Sequence, residues 1–441
     1  MPPSSRPSTL PLLPPSVVTL SNGVTLLNAP SASRNVGIFL IVRAGSRDES
    51  KETAGIAHYL EHMFYKGTEH RPTTRQITRE IDRLGASTNA YTDTEEVGYY
   101  AEGPATAMHE LADIVTDMLS RPLFAVEEVE RERNVVLQEL SARLADPDGW
   151  IWDRLGTVTF GADQPVSWSA AGFPWVVEKV TRDQLVEYHR SFYAPAAMCL
   201  TVAGGAALEV DKAEALLADI PHARPRPRAQ ALWGQGDRYA ANVRPFTPAE
   251  EPQIKMALAV PGIPALDDDR TALSLMTYIL GGGMSSRLFH TVRERNGLAD
   301  SIFAHHEPME DTGVFAIATG TRPKDAAKAV RLSFRELRKM AARPVPAAEL
   351  SAAKSAMVGR LLRSTETAMA SARFYGARWR ARLPLETPDD RAAAIHRVTA
   401  AEVQRVAERI AAGIDDVRLA FVGPKDQGEA LLDAALDKRA G

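Results

Sequence analysis

The sequence predicts an α+β protein of two similar domains, each a mostly antiparallel β-sheet with helices packed on one face. Three observations support this prediction. Strand-like and helix-like segments are interleaved, a basic proline-rich segment divides the chain, and a helix–strand pair recurs at nearly equal intervals. The chain has 441 residues, 45% hydrophobic and 24% charged, so it can bury large cores without disulfides.

Hairpin, strand and helix patterns follow one another along the first part of the chain. Strand-like runs at 17–20 and 24–27 lie on either side of a Ser-Asn-Gly turn, a spacing typical of a β-hairpin. Residues 37–42 read as a strand, whereas residues 105–119 have the periodicity of a helix. Hairpins interleaved with strands and helices indicate an α+β arrangement, with helices packed on one face of a mostly antiparallel sheet.

A basic segment punctuated by proline marks the boundary between the two domains. It begins with Ala223-Arg224-Pro225-Arg226-Pro227-Arg228 and continues to about Pro245. We interpret it as a linker, because proline stiffens the backbone and the charges keep it solvated. The predicted organisation is a disordered proline-rich arm at 1–16, an N-terminal domain at 17–222, the linker at 223–245 and a C-terminal domain at 246–441.

The two halves repeat one local pattern. Val180-Thr181 precedes a predicted helix and then a strand at 200–204, and Val398-Thr399 precedes a predicted helix and then a strand at 419–423. The helix starts and the strands are separated by nearly the same interval, which indicates a duplicated domain.

Composition excludes several classes of protein. A formal net charge of −4 gives no general attraction to nucleic acid or anionic membranes. No window approaches the ~18 apolar residues of a membrane span, and the N-terminal residues lack the apolar core of a signal peptide. The single cysteine, Cys199, cannot form an intrachain disulfide. We therefore expect a cytoplasmic protein that binds neither nucleic acid nor membranes.

The motif His58-Tyr59-Leu60-Glu61-His62 predicts a metal site on a helix. Positions i and i+4 share a helix face, so both imidazoles can reach one ion. Glu61 lies on the same side, where its carboxylate can hold a water molecule beside the ion. This order inverts the commoner H-E-x-x-H motif but supplies the same groups.

A third metal ligand must come from another segment, since catalytic zinc sites use three protein ligands and leave one position for water. Residues 132–140 read as a helix, and Glu132 and Glu139 fall on one face of it. From the residues alone, either glutamate could be the third ligand.

The segments at 43–49 and 55–68 resemble the signature of the pitrilysin (M16) family of zinc metallopeptidases, which includes insulin-degrading enzyme and mitochondrial processing peptidase. Their sequences are Arg43-Ala44-Gly45-Ser46-Arg47-Asp48-Glu49 and Gly55-Ile56-Ala57-His58-Tyr59-Leu60-Glu61-His62-Met63-Phe64-Tyr65-Lys66-Gly67-Thr68. The resemblance implies zinc held by His58, His62 and Glu139, since Glu139 stands at the family's distance from the second histidine. It also implies that Glu61 is the catalytic base and that Glu132 supports the site.

Two further stretches extend the resemblance over nearly the whole chain. Asn89, Ala90, Tyr91 and the following Thr92 resemble the edge strand on which family members align an extended peptide by backbone pairing. Residues 280–289 and 297–299 resemble the family's second domain. We predict that the three glycines in this stretch close a helix, because the Lys-Ser or Lys-Thr of a phosphate-binding loop does not follow them.

One position departs from the family pattern. Active members carry an arginine and, seven residues later, a tyrosine that together bind the substrate carbonyl. Arg293 matches the arginine, but Asp300 stands at the position of the tyrosine. A phenol can donate a hydrogen bond to a developing oxyanion, whereas an ionised aspartate only accepts and repels that charge.

The resemblance also implies how such a chain assembles. In the short-chain branch of the family, two chains of two domains enclose a chamber for unfolded peptides. We therefore expect a zinc-bearing subunit of a heterodimer, whose homologous partner supplies the Arg/Tyr pair. The alternatives are a homodimer of low activity and a non-catalytic assembly or scaffold subunit. The intact set of His58, Glu61, His62 and Glu139 argues against the scaffold.

Overall fold

The computed structural model of the protein describes residues 14–221, 224–225, 227–244 and 253–437. Most of the predicted arm at 1–16 therefore lies outside the described residues, as do residues 223, 226 and 245 of the predicted linker. In the part of the chain that is described, no helix combines the length and the apolar character needed to cross a membrane.

Two β-sheets, one in each half, form the framework of the molecule. The first sheet has the order β1-β2-β6-β3-β5-β4 and the second the order β7-β11-β8-β10-β9. The strands of the first are β1 (Ser16–Thr19), β2 (Thr25–Pro30), β3 (Asn35–Val42), β4 (Ser87–Thr92), β5 (Val97–Pro104) and β6 (Met198–Gly204). Those of the second are β7 (Tyr239–Val243), β8 (Ile254–Pro261), β9 (Ala299–Pro308), β10 (Gly313–Thr321) and β11 (Arg418–Gly423).

Helices connect the strands in both halves. In the first half they are α1 (Ile56–Met63), α2 (Thr74–Arg83), α3 (Met108–Ser120), α4 (Val126–Ala145), α5 (Pro147–Phe160), α6 (Pro174–Val177), α7 (Arg182–Phe192) and α8 (Val210–Leu216). In the second they are α9 (Arg270–Gly281), α10 (Ala326–Ala342), α11 (Ala347–Arg363), α12 (Ala368–Arg380), α13 (Pro388–Arg397), α14 (Ala400–Ala412) and α15 (Gly428–Leu436).

The two sheets share one plan, so the predicted fold class is confirmed. In the first sheet β6 pairs parallel with β2 and antiparallel with β3, and in the second β11 pairs parallel with β7 and antiparallel with β8. Thr181 and Thr399 cap the equivalent helices α7 and α14, each with a capping box. The repeated helix–strand pattern is therefore a repeat of structure.

Several local predictions agree with the structure, but the segment predicted as a solvated linker is partly built into the second sheet. The predicted hairpin is formed by β1 and β2, and the three glycines at 281–283 close α9 as expected. Part of the segment predicted as a linker forms β7, which pairs with β11 and so gives that strand a partner on its open side. Arg228 of the same segment is mostly buried and bonds both oxygens of Asp48.

Each sheet has helices of its own half on one face and a helix of the other half on the opposite face. α12 packs on β3 and β6 of the first sheet, while α5 packs on β8 and β11 of the second. The buried faces beneath them are separate apolar clusters. We call this arrangement, in which each half covers one face of the other half's sheet with a helix, the exchange of α5 and α12. It depends on close packing, because a methyl group at Gly37 of β3 would lie 2.5 Å from Cα of Met369 in α12.

We predict that Gly37→Ala lowers the thermal unfolding midpoint of the protein, because the added methyl group would overlap the backbone of α12. Overpacking of this kind typically costs about 1–3 kcal/mol. Gly359→Ala is the matched control, because among the described residues a Cβ at this helical glycine would meet only the Arg363 guanidinium, at 3.5 Å.

Removing a glycine from a helix interior stabilises by about 0.5–1 kcal/mol, so Gly359→Ala should leave the midpoint unchanged or raise it. Scanning calorimetry of both variants beside the wild type is the measurement. Equal midpoints for Gly37→Ala and the wild type would refute the close-packing argument.

Candidate metal centre

The H-x-x-E-H motif lies on α1, whose start is fixed by a buried carboxylate. Glu49 accepts hydrogen bonds from the backbone N–H groups of Gly55 and Ala57, both at 2.8 Å. The helix then buries Tyr59, Leu60 and Met63 in the core. His58, Glu61 and His62 are the residues of α1 left partly accessible, and they lie on the side that faces β4 and α4.

Three ligand atoms from α1 and α4 converge on one point. Nε2 of His58 and Nε2 of His62 are 3.3 Å apart. Oε2 of Glu139 lies 3.3 Å from Nε2 of His62 and 3.7 Å from Nε2 of His58. Ligand atoms of a tetrahedral zinc ion are separated by about 3.3 Å, given Zn–N distances of about 2.0–2.1 Å. The spacing of these three atoms therefore fits a zinc ion.

The alternative third ligand, Glu132, lies on the other side of His62. Its Oε1 is 2.8 Å from Nδ1 of His62, and its Oε2 is 2.5 Å from Nζ of Lys66. The Nδ1–H of His62 therefore donates to Glu132, which leaves Nε2 of His62 free to bind a metal. Nδ1 of His58 has no hydrogen-bond partner among the described residues.

The charges around the two histidines favour a cation. Burial, the charge of His62 and the charge of Arg143 lower the pKa of His58 to about 4, so His58 is neutral at neutral pH, as a metal ligand must be. Burial by itself would lower the pKa of His62, but the hydrogen bond with Glu132 and the charges of Glu139 and Glu61 outweigh it and raise that pKa. Three carboxylates therefore stabilise positive charge here, which a divalent ion would supply.

Glu61 lies beside the ligand atoms and is held by the neighbouring strand. Its Oε2 accepts a hydrogen bond of 2.6 Å from Oγ1 of Thr92, at the end of β4. Burial raises the pKa of Glu61, and the bond from Thr92 opposes that shift only in part. A carboxylate with a raised pKa is suited to take up and return a proton near neutral pH.

The predicted peptide-binding residues lie on β4, which is the edge strand of the first sheet. The backbone N–H of Asp93 donates across the hairpin to Glu96, so by alternation Ala90 directs its backbone groups away from β5. Asn89 Oδ1 accepts from the Ala90 N–H at 2.8 Å. The Tyr91 ring stacks on Phe39 and its hydroxyl donates to Glu96, so that side chain packs within the protein.

The two predicted carbonyl-binding positions lie in the second half. Arg293 is exposed on a π-helical turn, with its guanidinium 4.8 Å from the ring centre of Phe289. Asp300 is exposed on β9, the edge strand of the second sheet, and accepts from the backbone N–H of Ser301 at 2.7 Å. Among the described residues, no hydrogen bond or ion pair connects either side chain to the metal site.

Sequence reasoning missed two residues that contact the site. Lys66 and Thr92 lie within the stretches compared with the family, but neither was assigned a contact. Lys66 follows His62 by one helical repeat, and this spacing could have indicated it. The contact of Thr92 with Glu61 joins a strand to a helix, so no local spacing could have revealed it.

An H-x-x-E-H motif on a helix is the feature that distinguishes the inverted zincins, a class of metallopeptidases. The comparisons with known proteins identify the family. Residues 24–164 match the family model described as insulinase (peptidase family M16), and residues 179–357 match the model described as peptidase M16 inactive domain. The chain belongs to the M16 family of zinc proteases.

Relatives and solved structures agree with this assignment. The chain is 30% identical to an uncharacterized zinc protease of Rickettsia felis, over 92% of this chain and 97% of that protein. It is 29% identical to the uncharacterized zinc protease YmxG of Bacillus subtilis, over 79% of this chain and 84% of the relative.

Two crystal structures share the fold at 21% identity. One is described as a peptidase M16 inactive domain from Pseudomonas fluorescens (TM-score 0.84, covering 94% of this chain and 99% of that one). The other is described as a protease from Helicobacter pylori (TM-score 0.82, covering 93% and 100%).

We predict that the purified protein binds about one zinc ion per chain, since the three ligand atoms leave one tetrahedral position for water. His58→Ala and His62→Ala should each empty the site, because two remaining ligands hold zinc weakly. His109→Ala is the matched control, since His109 is exposed on α3 and lies 3.7 Å from Glu209, far from the candidate ligands in the chain. The measurement is zinc content after dialysis, and full zinc in His58→Ala would show that the site is wrongly located.

Proposed function

We propose that this chain is the zinc-bearing subunit of an M16 endopeptidase that hydrolyses unfolded peptides. The observation that carries the proposal is the convergence of His58, His62 and Glu139 on one point beside Glu61. In this proposal the two imidazoles and the Glu139 carboxylate hold the metal, and Glu132 orients His62.

The chemistry divides between the metal and the protein. When bound, zinc would polarise the scissile carbonyl and lower the pKa of a water molecule. Glu61 removes a proton from the attacking water and later delivers it to the leaving amine. The hydroxyl of Thr92 fixes one oxygen of Glu61, which keeps the other available for this transfer.

The substrate is held by backbone pairing with β4. The outward carbonyl of Ala90 can pair with an extended peptide, as can its N–H once the Asn89 side chain releases it, and this pairing reads the chain with little regard for its side chains. Because Thr92 on the same strand bonds Glu61, the paired peptide passes close to the catalytic base. Unfolded peptides are therefore the expected substrates, rather than folded proteins.

A second chain completes the active site in this proposal. Asp300 cannot donate a hydrogen bond to an oxyanion while it is ionised, so the second half lacks one of the two groups that bind the substrate carbonyl. A homologous subunit that carries the Arg/Tyr pair would supply it across a shared chamber. A homodimer of low activity is the second candidate, because Arg293 is retained. The complete metal-site set gives no support to a purely structural subunit.

We predict that Glu61→Gln retains zinc but loses peptide cleavage, because the ligands remain while the base is gone. The loss should be about 10²–10⁴-fold, the usual contribution of a general base. The measurement is cleavage of an unfolded, internally quenched peptide by the chain with its partner, together with zinc content.

Glu127→Gln is the control for this variant, because Glu127 is exposed in the first turn of α4. It should keep both zinc and activity. A stably folded protein tested beside the peptide should resist cleavage, and rapid cutting within one of its helices would contradict the proposed substrate class.

We also predict that the chain alone is nearly inactive and that activity appears on mixing with an Arg/Tyr-bearing M16 subunit. Loss of one oxyanion donor costs about 10²–10³-fold in rate, which is the expected difference between the chain alone and the mixture. Asp300→Tyr should restore part of this activity if two copies of the chain can close face to face. Full turnover by the wild-type chain alone would replace the heterodimer with the homodimer.

A further inference from the structure

We propose that Lys66 is a positioning residue of the metal centre, which sets zinc affinity by fixing the Glu132 carboxylate against His62. The inference rests on the proposed zinc ligands, and it assigns a role to a residue that contacts no ligand atom directly. The observation behind it is the chain of contacts from Lys66 Nζ to Glu132 Oε2, and from Glu132 Oε1 to His62 Nδ1, at 2.5 and 2.8 Å.

The backbone directs Lys66 toward the metal site. α1 ends at Met63, but one more turn follows, in which the Lys66 N–H donates to the carbonyl of Met63 at 3.0 Å. This turn leaves Lys66 four positions after His62, and so beneath the same side of α1 as both histidines. The Lys66 side chain is only 23% exposed, which is low for a lysine.

Glu132 has one partner for each carboxylate oxygen. Its side chain is 6% exposed, so an oxygen without a partner would remain poorly solvated. Lys66 holds Oε2, and this contact directs Oε1 at the His62 ring. Without Lys66, the carboxylate could rotate toward another donor, and His62 would lose the group that fixes its ring orientation and tautomer.

A simple surface ion pair would give a different result. Exposed pairs contribute about 0–1 kcal/mol and do not act on a metal. A lysine that acted only through its charge would repel a divalent cation, so removing it would tighten zinc binding. A positioning role predicts the opposite sign, because partners behind metal-binding histidines commonly change metal affinity by about 10–100-fold.

The test measures the zinc dissociation constant of the full-length apo-protein by competition with a chromophoric chelator. Lys66→Met should raise this constant about tenfold, while Lys66→Arg, which keeps a cationic donor, should stay close to wild type. Lys212→Met is the matched control, because Lys212 is exposed on α8, and it should leave zinc affinity unchanged.

A double-mutant cycle separates positioning from any effect on folding. If Lys66 acts through Glu132, then Lys66→Met should cause no further loss of zinc affinity in a Glu132→Ala background. Thermal unfolding of each apo variant checks the fold, and Lys66→Gln serves as a second variant if Lys66→Met is unfolded.

The possible outcomes distinguish a failure of the role of Lys66 from a failure of the proposed metal site. Unchanged or tighter zinc binding by Lys66→Met, or an equal loss in the Glu132→Ala background, would overturn the role of Lys66 while leaving the zinc site intact. A wild-type chain that binds no zinc would instead overturn the proposed metal site, and this inference with it.

Discussion

Each half contributes one helix to the sheet of the other half: α5 packs on the second sheet and α12 on the first. The rest of the structure depends on this exchange of helices. Each sheet is apolar on both faces, and helices of its own half cover only one of them. The second face is covered by α5 or α12, which cross from the other half. The crossing helices approach closely because small residues lie beneath them: Gly37 under α12, and Ala257, Ala259, Ala316, Ala318 and Ala420 under α5. Each half buries its main core with its own helices, but the second face of its sheet is covered only by the helix from the other half.

The packing of α5 on the second sheet also bears on α4, the helix that carries two residues of the candidate metal centre. α4 carries Glu132 and Glu139, and α5 follows it directly, capped by Asp146. The end of α4 is tied to α5 by Arg143, which bonds both carboxylate oxygens of Asp153. The helix that brings the third ligand is therefore anchored through α5 on the second sheet. The candidate metal ligands all lie in the first half, whereas the helix that follows α4 packs on the sheet of the second half.

Equivalent helices and strands of the two duplicated halves carry different functional side chains. In the first, α1, β4 and α4 surround the metal ligands, and in the second α9, β9 and α11 occupy the matching places in the chain order. Among the described residues, the only group of three or more His, Cys, Asp or Glu side chains that could hold a metal ion is in the first half. The second half keeps the edge strand and Arg293 but has Asp300 on that strand. Duplication thus preserved the scaffold while the chemistry of the two halves diverged.

The sequence by itself determined the fold class, the β1–β2 hairpin, the repeated helix–strand pattern and the pairing of His58 with His62, because these follow from local periodicity and spacing along the backbone. Spacing along the chain could not decide whether Glu132 or Glu139 is the third metal ligand, since both lie on one face of α4. Only the family resemblance favoured Glu139. The tertiary structure decided which atom of His62 each glutamate faces, the contact of Thr92 with Glu61, the inclusion of β7 in a sheet and the exchange of α5 and α12. These contacts join residues far apart in the chain, so their geometry is set by packing and no local pattern records it.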